Sequence, residues 1–240
     1  TDNLKKINKA VFQPSFKDFH QFSSDVLFDS IDLWFADMPN ISKVTGFEYF
    51  SPSFRITLKG TFMGSGSENT KELDFSDYYC YFYYEMEGEY LPSTRDVNST
   101  FMNSKYEKII LPSDQNAFYG VVIFDHMFDS CTSLKSIDNY MFDVLKLENA
   151  NYMFNDCSLL DKIDIGAWNP SDYGKYSYMF NGCTSLEKIQ CDFNTDWTTD
   201  FEGTSTNMFA GCRALTSLDL QNFDTSKVEN MGAMFAGLMS

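Results

Sequence analysis

Four of the six cysteines recur at nearly constant spacing along the second half of the chain, at Cys131, Cys157, Cys183 and Cys212. A zinc site needs four ligands that converge on one point, usually supplied as close Cys-x2-Cys pairs, and such pairs are absent from the sequence. Regular spacing instead predicts a column of small, buried and reduced thiols without a metal. Disulfides between neighbouring units are sterically conceivable, because bridged Cα atoms lie about 4.4–6.8 Å apart. Cys80 and Cys191 fall outside the column and are expected to be free.

Residues suited to catalysis are few. The only histidines are His20 and His126, and neither stands at a motif spacing such as Gly-x-Ser-x-Gly from a nucleophile. The acidic segment 194–200 could hold calcium, but it lacks the central glycine and closing glutamate of an EF-hand loop, which favours a solvated turn. We therefore predict no catalytic residues, no metal and no cofactor, and a secreted enzyme is the weakest functional alternative.

Composition excludes several classes of partner. The net charge of -16 comes from 34 acidic and 18 basic side chains, so the chain repels nucleic-acid phosphates and anionic membranes and is expected to be a soluble monomer. No apolar run approaches the roughly 18–20 residues of a membrane helix. The chain opens with the polar residues Thr1, Asp2 and Asn3 and shows no signal peptide, so an exported protein would already have lost its signal and any anchor.

An internal repeat organises these residues. With 12 Met and 24 Phe, chance predicts about one Met-Phe dipeptide, yet there are six, and five share one register. We call the phenylalanine of each unit its anchor and count offsets from it. Including degenerate copies, the anchors are Phe35, Phe62, Phe101, Phe128, Phe154, Phe180, Phe209 and Phe235.

The same residue types return at the same offsets from each anchor. Leucine stands at offset 6 (Leu134, Leu160, Leu186, Leu215) and isoleucine or leucine at offset 9 (Ile137, Ile163, Ile189, Leu218), which predicts a short strand with an inward residue. In the Phe62 unit Leu73 is displaced by a two-residue insertion. The Met-x-x-Met-Phe spacing fits one helical turn. The predicted organisation is an N-terminal cap over 1–30 and about eight stacked units over 31–240, with an insertion at about 77–96.

The segment 208–231, which begins Met-Phe-Ala-Gly-Cys, closely resembles the repeat of BspA-like leucine-rich-repeat surface proteins, and residues 10–16 and 34–35 resemble the start of that array. The resemblance implies an α/β repeat fold. It would be a right-handed leucine-rich-repeat-like solenoid with a parallel β-sheet on one face and short helices or turns on the other. It also implies an extracellular location on a bacterial surface and adhesion to host matrix proteins such as fibronectin and fibrinogen. It supplies no catalytic residues.

Two groups of residues are candidates for binding. The outward strand positions, at offsets 8 and 10 or one residue earlier in the Phe101 unit, form a mixed-charge stripe that includes Lys43, Lys108, Asp138, Lys162, Asp164, Lys188, Gln190 and Asp219. The insertion concentrates tyrosines, which give large contact area at low entropic cost, at Tyr78, Tyr79, Tyr81, Tyr83, Tyr84 and Tyr90. Simple solvation could account for the stripe, and a longer strand that seals the core could account for the tyrosines.

These features predict a non-enzymatic recognition or adhesion module of the cell surface, which binds host or matrix proteins, or glycans, through the sheet face and the tyrosine-rich insertion. The alternative is a structural spacer or stalk that holds another domain away from the cell. The two differ in whether the stripe and the tyrosines form an exposed, contiguous patch.

Overall fold

The computed structural model describes residues 3–13, 31–49, 57–78, 83–86, 89–92, 96–113, 118, 121, 123–138, 147–164, 170–190, 205–218 and 230–238. Its strands are β1 (Lys9–Val11), β2 (Lys43–Thr45), β3 (Glu72–Asp74), β4 (Tyr83–Met86), β5 (Glu89–Pro92), β6 (Lys108–Ile110), β7 (Ser136–Asp138), β8 (Leu147–Asn149), β9 (Lys162–Asp164), β10 (Pro170–Lys175) and β11 (Lys188–Gln190). Two 3₁₀ turns span Leu4–Lys6 and Phe47–Tyr49. Within these ranges no helix is long and apolar enough to cross a membrane.

The short strands that follow the anchors stack in parallel, one from each successive unit; we call each unit a rung. They lie at offsets 8–10, except in the Phe62 unit (10–12) and the Phe101 unit (7–9). The order β1-β2-β3-β6-β7 forms one sheet, and β9 pairs with β11 in a second. The middle residue of each strand points inward, as alternation requires, so Val44 and Ile109 are fully buried while their neighbours are partly exposed. This confirms the predicted parallel stack and the predicted inward residue of each strand, which stands at offset 9 in the Phe35 unit and at offset 8 in the Phe101 unit. We call the outer side of these strands the sheet face.

A second parallel ladder runs just before the anchors. It comprises β8 paired with β10, together with bridges that link Asp96 to Ile123 and Ile123 to Asn149. The Phe101 and Phe128 rungs, and likewise the Phe154 and Phe180 rungs, are therefore joined both by this ladder and by strand pairing on the other ladder. Pairing at two places restricts bending between these rungs in more than one direction.

The segment around each anchor is not the predicted helical turn. Residues two before and two after every anchor have positive φ, for example Tyr152 (57°) and Asp156 (56°) around Phe154. Amides alternate between a turn bond to the residue three earlier, such as Met153 N to Ala150 O (3.2 Å), and a bond to the next rung, such as Phe154 N to Met179 O (2.8 Å). An α-helix would send every amide to the residue four earlier. Bonding between rungs replaces that pattern, and we call this part of each rung the turn segment.

The core consists of columns of equivalent residues. All eight anchors form one continuous stack, with ring centroids 5.1–5.9 Å apart and interplanar angles of 3–17°. The offset-6 leucines Leu134, Leu160, Leu186 and Leu215 form a second column and are at most 8% exposed. Both predicted columns are confirmed. The four repeat-register cysteines are fully buried as well.

Departures from the regular stack occur in three places. At the N-terminus β1 adds a strand beside β2, and Phe12 packs on Trp34 and Phe47; residues 14–30 of the predicted cap lie outside the described residues. The two-residue insertion in the Phe62 rung is a reverse turn in which the Ser67 and Thr70 backbones bond each other. Within the predicted insertion, β4 and β5 form an antiparallel hairpin that pairs with no other described strand.

Candidate binding surfaces

Two lysines on the first five strands of the sheet face are neutralised by carboxylates of neighbouring rungs. The ammonium of Lys43 bonds the carboxylate of Asp74. The Lys108 ammonium lies 2.7 Å from Asp138 and 3.9 Å from Glu72, so it bridges the two rungs on either side of its own. Three predicted stripe residues, Lys43, Lys108 and Asp138, are therefore engaged within the protein.

A parallel row of charges lies one residue earlier, just before the strands. Glu107 accepts from Lys71 at 2.5 Å and from Lys135 at 2.7 Å, so it too bridges three rungs. Hydrogen bonds from Lys135 and then Lys71 lower the pKa of the Glu107 carboxyl to about 2. The Glu107 side chain is partly exposed, and pairs of this kind contribute little to stability. Their effect here is to neutralise Lys71 and Lys135, the residues directly before β3 and β7.

The sheet face changes character at β9 and β11. Lys162 and Lys188 lie directly opposite each other in the parallel register, and both are exposed. Neighbouring strands are about 4.8 Å apart, and like charges placed opposite each other are unfavourable. Neither lysine makes an ion pair with any described residue, whereas Asp164 has an interaction of its own. Asp219 lies outside the described residues, as does the side chain of Gln190.

The predicted tyrosine cluster divides between core and hairpin. Tyr78 is 1% exposed and stacks on Phe75 with centroids 4.9 Å apart, so it is a core residue and its assignment to the binding surface is corrected. Its position directly after the Phe62 strand segment lets its ring fill the space beside Phe47. Tyr83, Tyr84 and Tyr90 lie in the hairpin, where Tyr84 is paired with Leu91 and Glu85 with Tyr90. Tyr79 and Tyr81 lie outside the described residues.

The four cysteines of the column are buried as unreactive thiols. Each thiol donates to the carbonyl of the preceding anchor, as in Cys131 Sγ to Phe101 O (3.0 Å) and Cys157 Sγ to Phe128 O (3.2 Å). Burial raises the pKa of the Cys131 and Cys212 thiols to about 12 and those of Cys157 and Cys183 well above the usual value. The predicted burial is confirmed, and these four cysteines are free of disulfides. Cys80 and Cys191 lie outside the described residues.

His126 is part of a surface network without a positioned nucleophile. Its Nδ1 lies 2.6 Å from Asp129 Oδ2, and the hydroxyl of Ser130 bonds the same carboxylate rather than the imidazole. Burial raises the pKa of the adjacent Asp125 carboxyl, an effect that the His126 charge opposes and the Asp96 and Asp129 charges reinforce. No three potential metal ligands converge among the residues that the structure describes. His20 lies outside them.

Two ladders on the turn segments were not predicted from the sequence. His126, Tyr152 and Tyr178, all at offset -2, stack with centroids 4.6 and 4.7 Å apart. Three residues further on, Asn155 donates to Asp129 and Asn181 donates to Asn155, at 2.8 and 2.7 Å. The sequence contains a signal for the first of these ladders, because an aromatic side chain stands at offset -2 in three successive units. These residues bond mainly to one another, which indicates a stiffening role.

A polar groove of about 490 Å³ lies at the N-terminal end of the stack. Its walls are the residues just before β1, those just before β2, and the reverse turn at 67–70 with the start of β3. The sequence revealed the two-residue insertion that builds this turn, but not the groove beside it.

Comparison with known proteins places the chain in a family. A family model described as "Mycoplasma protein of unknown function, DUF285" matches residues 95–205 and again 191–240, which together are more than half of the 240 residues. The chain belongs to this family. No curated protein and no solved structure matches the chain. The DUF285 region contains the anchors from Phe101 onward, Lys162 and Lys188, whereas the polar groove lies N-terminal to it.

Proposed function

We propose that this DUF285 protein is a non-enzymatic recognition module of a bacterial cell surface. In this proposal the stacked rungs form a right-handed, leucine-rich-repeat-like solenoid of the BspA-like type, and the sheet face binds a protein partner. The mention of Mycoplasma in the family description supports a bacterial source. The parallel ladders and columns of equivalent residues support a rigid repeat scaffold.

The observation that carries the proposal is the contrast along the sheet face. Lys43 on β2 and Lys108 on β6 are neutralised by carboxylates of neighbouring rungs, whereas Lys162 and Lys188 face each other and neither makes an ion pair with described residues. Acidic side chains of a partner would relieve that repulsion, and complementary charge speeds association and fixes register. The proposed contact is therefore centred on β9 and β11, the strands that also contain Asp164 and Gln190.

The test reverses charge at this position. Purified protein is titrated against immobilised fibronectin and fibrinogen, and Lys162→Glu and Lys188→Glu are compared with Lys105→Glu. The control makes the same change in net charge at an exposed lysine away from the strands. We expect at least a tenfold loss of affinity in each sheet-face variant and none in the control. Equal loss in all three variants would show only a long-range charge effect and would refute a specific contact.

The hairpin β4–β5 is proposed as a second contact, because it pairs only with itself among the described strands and carries three of the predicted tyrosines. Aromatic residues dominate the energetics of many interfaces. In the same titration, Tyr83→Ser, Tyr84→Ser and Tyr90→Ser are expected to weaken binding with little change in melting temperature. A sharp fall in melting temperature with unchanged binding would assign the hairpin to the core instead.

A structural spacer is the second candidate function. The continuous phenylalanine stack favours it, since it stiffens the array without any need for a partner. The ion pairs of Lys43 and Lys108 between rungs also favour it, because they leave these lysines no free charge for a partner. A spacer would tolerate charge reversal at Lys162 and Lys188 with no loss of any cell-surface interaction.

A further inference from the structure

The polar groove has an unusual set of walls for a repeat protein. It is enclosed by the N-terminal segment, by the segment before β2 and by the reverse turn that the Phe62 rung alone inserts before its strand. Its volume of about 490 Å³ falls within the range of roughly 300–1,000 Å³ that is typical of sites for small ligands. Its walls come from three successive rungs, so the stack itself fixes their spacing.

Every side chain that lines the groove is polar, including Lys6, Asn8, Asn40, Asn69, Thr70 and Glu72. A hydrophobic ligand would find no apolar side chain here. Carboxamides present a donor and an acceptor side by side, and a sugar hydroxyl both donates and accepts, so the two groups are complementary. The lining therefore favours a hydroxyl-rich ligand.

The amides of the groove differ from those elsewhere in the stack. On the turn segments, the side-chain amides of Asn155 and Asn181 donate hydrogen bonds to neighbouring rungs. In the groove only Asn40 does so, by donating to the Lys5 carbonyl. The side chains of Asn8, Asn69 and Thr70 make no hydrogen bond with any residue that the structure describes. Their hydrogen-bonding groups are available to a ligand.

The charges near the groove further restrict the class of ligand that it can bind. The first nine residues contain Lys5, Lys6 and Lys9, all exposed, in a chain whose net charge is -16. A local excess of lysine favours an anionic group, whereas the field of the whole molecule repels a dense polyanion. A ligand with isolated carboxylates among many hydroxyls satisfies both conditions, and a heavily sulfated one does not.

We propose that this groove binds an acidic oligosaccharide, with a uronic-acid carboxylate at Lys6 and sugar hydroxyls at Asn8, Asn69 and Thr70. The site shares no residue with the sheet-face contact of the proposed function. It adds a glycan site at the opposite end of the described stack from β11.

Titration calorimetry of the full chain tests the site. The probe is a hyaluronan hexasaccharide, compared with neutral cellohexaose, a heparin hexasaccharide and hexaglutamate. We expect hyaluronan to bind most tightly. Asn8→Ala and Asn69→Ala should each weaken it at least fivefold, and Lys6→Gln should remove the preference over cellohexaose. Asn69 does not have a positive φ, so alanine fits its turn without strain.

Lys162→Gln serves as the matched control, since it removes one exposed lysine on the sheet face and should leave hyaluronan binding unchanged. Tighter binding of heparin or hexaglutamate, or unchanged affinity in the three groove variants, would overturn the proposal. The two proposals fail separately: groove variants should not affect the protein partner, and sheet-face variants should not affect the hexasaccharide.

Discussion

At the scale of single residues, the cysteine column shows how a side chain can be selected for one hydrogen bond. Ser65 and Ser104 occupy offset 3 in two of the rungs that lack the cysteine, and Ser65 Oγ donates to the Phe35 carbonyl just as Cys157 Sγ donates to the Phe128 carbonyl. Met38 and Leu238 stand at this offset in the first and last rungs. Between these end rungs the column therefore requires a small side chain with a donor. Burial of the thiols also suits the proposed extracellular location, because reactive thiolates would otherwise be exposed to oxidation.

This requirement predicts that Cys157→Ser is milder than Cys157→Ala. Alanine removes the donor and leaves the Phe128 carbonyl with only its turn bond from Cys131 N, so we expect the free energy of unfolding to fall by about 1–2 kcal/mol. Serine keeps the donor and should cost less. Urea denaturation measures both, with Ser65→Cys as the reciprocal control, which should be close to neutral. Equal effects of alanine and serine would show that volume alone governs the column.

Residue columns were the part of the fold most readily predicted. Leu134 and Ile137 repeat with their equivalents at constant offsets, and parallel stacking follows because each rung must bury the same face. Cross-rung ion pairs such as Lys108 with Asp138 were not predicted, since they depend on which strands adjoin. The groove was missed because its residues are distant in sequence and share no repeat position.

At the scale of elements, the turn segment was the main error. A spacing of three and four residues is shared by a helical turn and by successive reverse turns. The distinguishing signal was at offset 2, where the eight rungs carry Gly, Asn, Asp or Ser only, the residues that best tolerate positive φ. A helix would have placed no such demand on this position.

Replacement by alanine is expected to destabilise the protein to different extents at two glycines with positive φ, because their surroundings differ. Gly211 (75°) has no neighbour closer than 3.6 Å to an added Cβ, so Gly211→Ala should cost only the conformational term of about 1–2 kcal/mol. At Gly46 (92°) the added Cβ would lie 2.4 Å from the Phe12 carbonyl oxygen, which is backbone and cannot rotate away. Gly46→Ala should therefore be clearly more destabilising and should displace β1 from β2.

Thermal melting compares the two glycine variants, and hydrogen exchange at Phe12 reports the displacement. That amide bonds the Thr45 carbonyl at 2.9 Å and should lose protection in Gly46→Ala alone. Equal melting temperatures with Phe12 still protected would mean that the N-terminal strand adjusts without cost.

At the scale of the whole molecule, the phenylalanine stack couples rungs only to their neighbours. Phe154 contacts Phe128 on one face and Phe180 on the other, at 5.2 and 5.5 Å. The inter-rung bonds from Phe128 N to Met153 O and from Phe154 N to Met179 O follow the same order. In such an array the free energy of unfolding is close to a sum of terms for single rungs and for contacts between neighbouring rungs. A substitution in one rung should therefore destabilise mainly that rung and the two beside it.

Phe154→Ala tests that coupling. Removal of a fully buried ring should lower the free energy of unfolding by about 3–5 kcal/mol. Hydrogen exchange should show loss of protection at 126–130 and 178–182, next to the cavity, while the Phe62 rung at 60–64 stays protected. Leu159→Ala is the control, because this leucine lies in the same rung but is 45% exposed, and it should change little. Uniform loss of protection from the Phe62 rung to the Phe209 rung would contradict nearest-neighbour coupling and would mean that the array opens as a single cooperative unit.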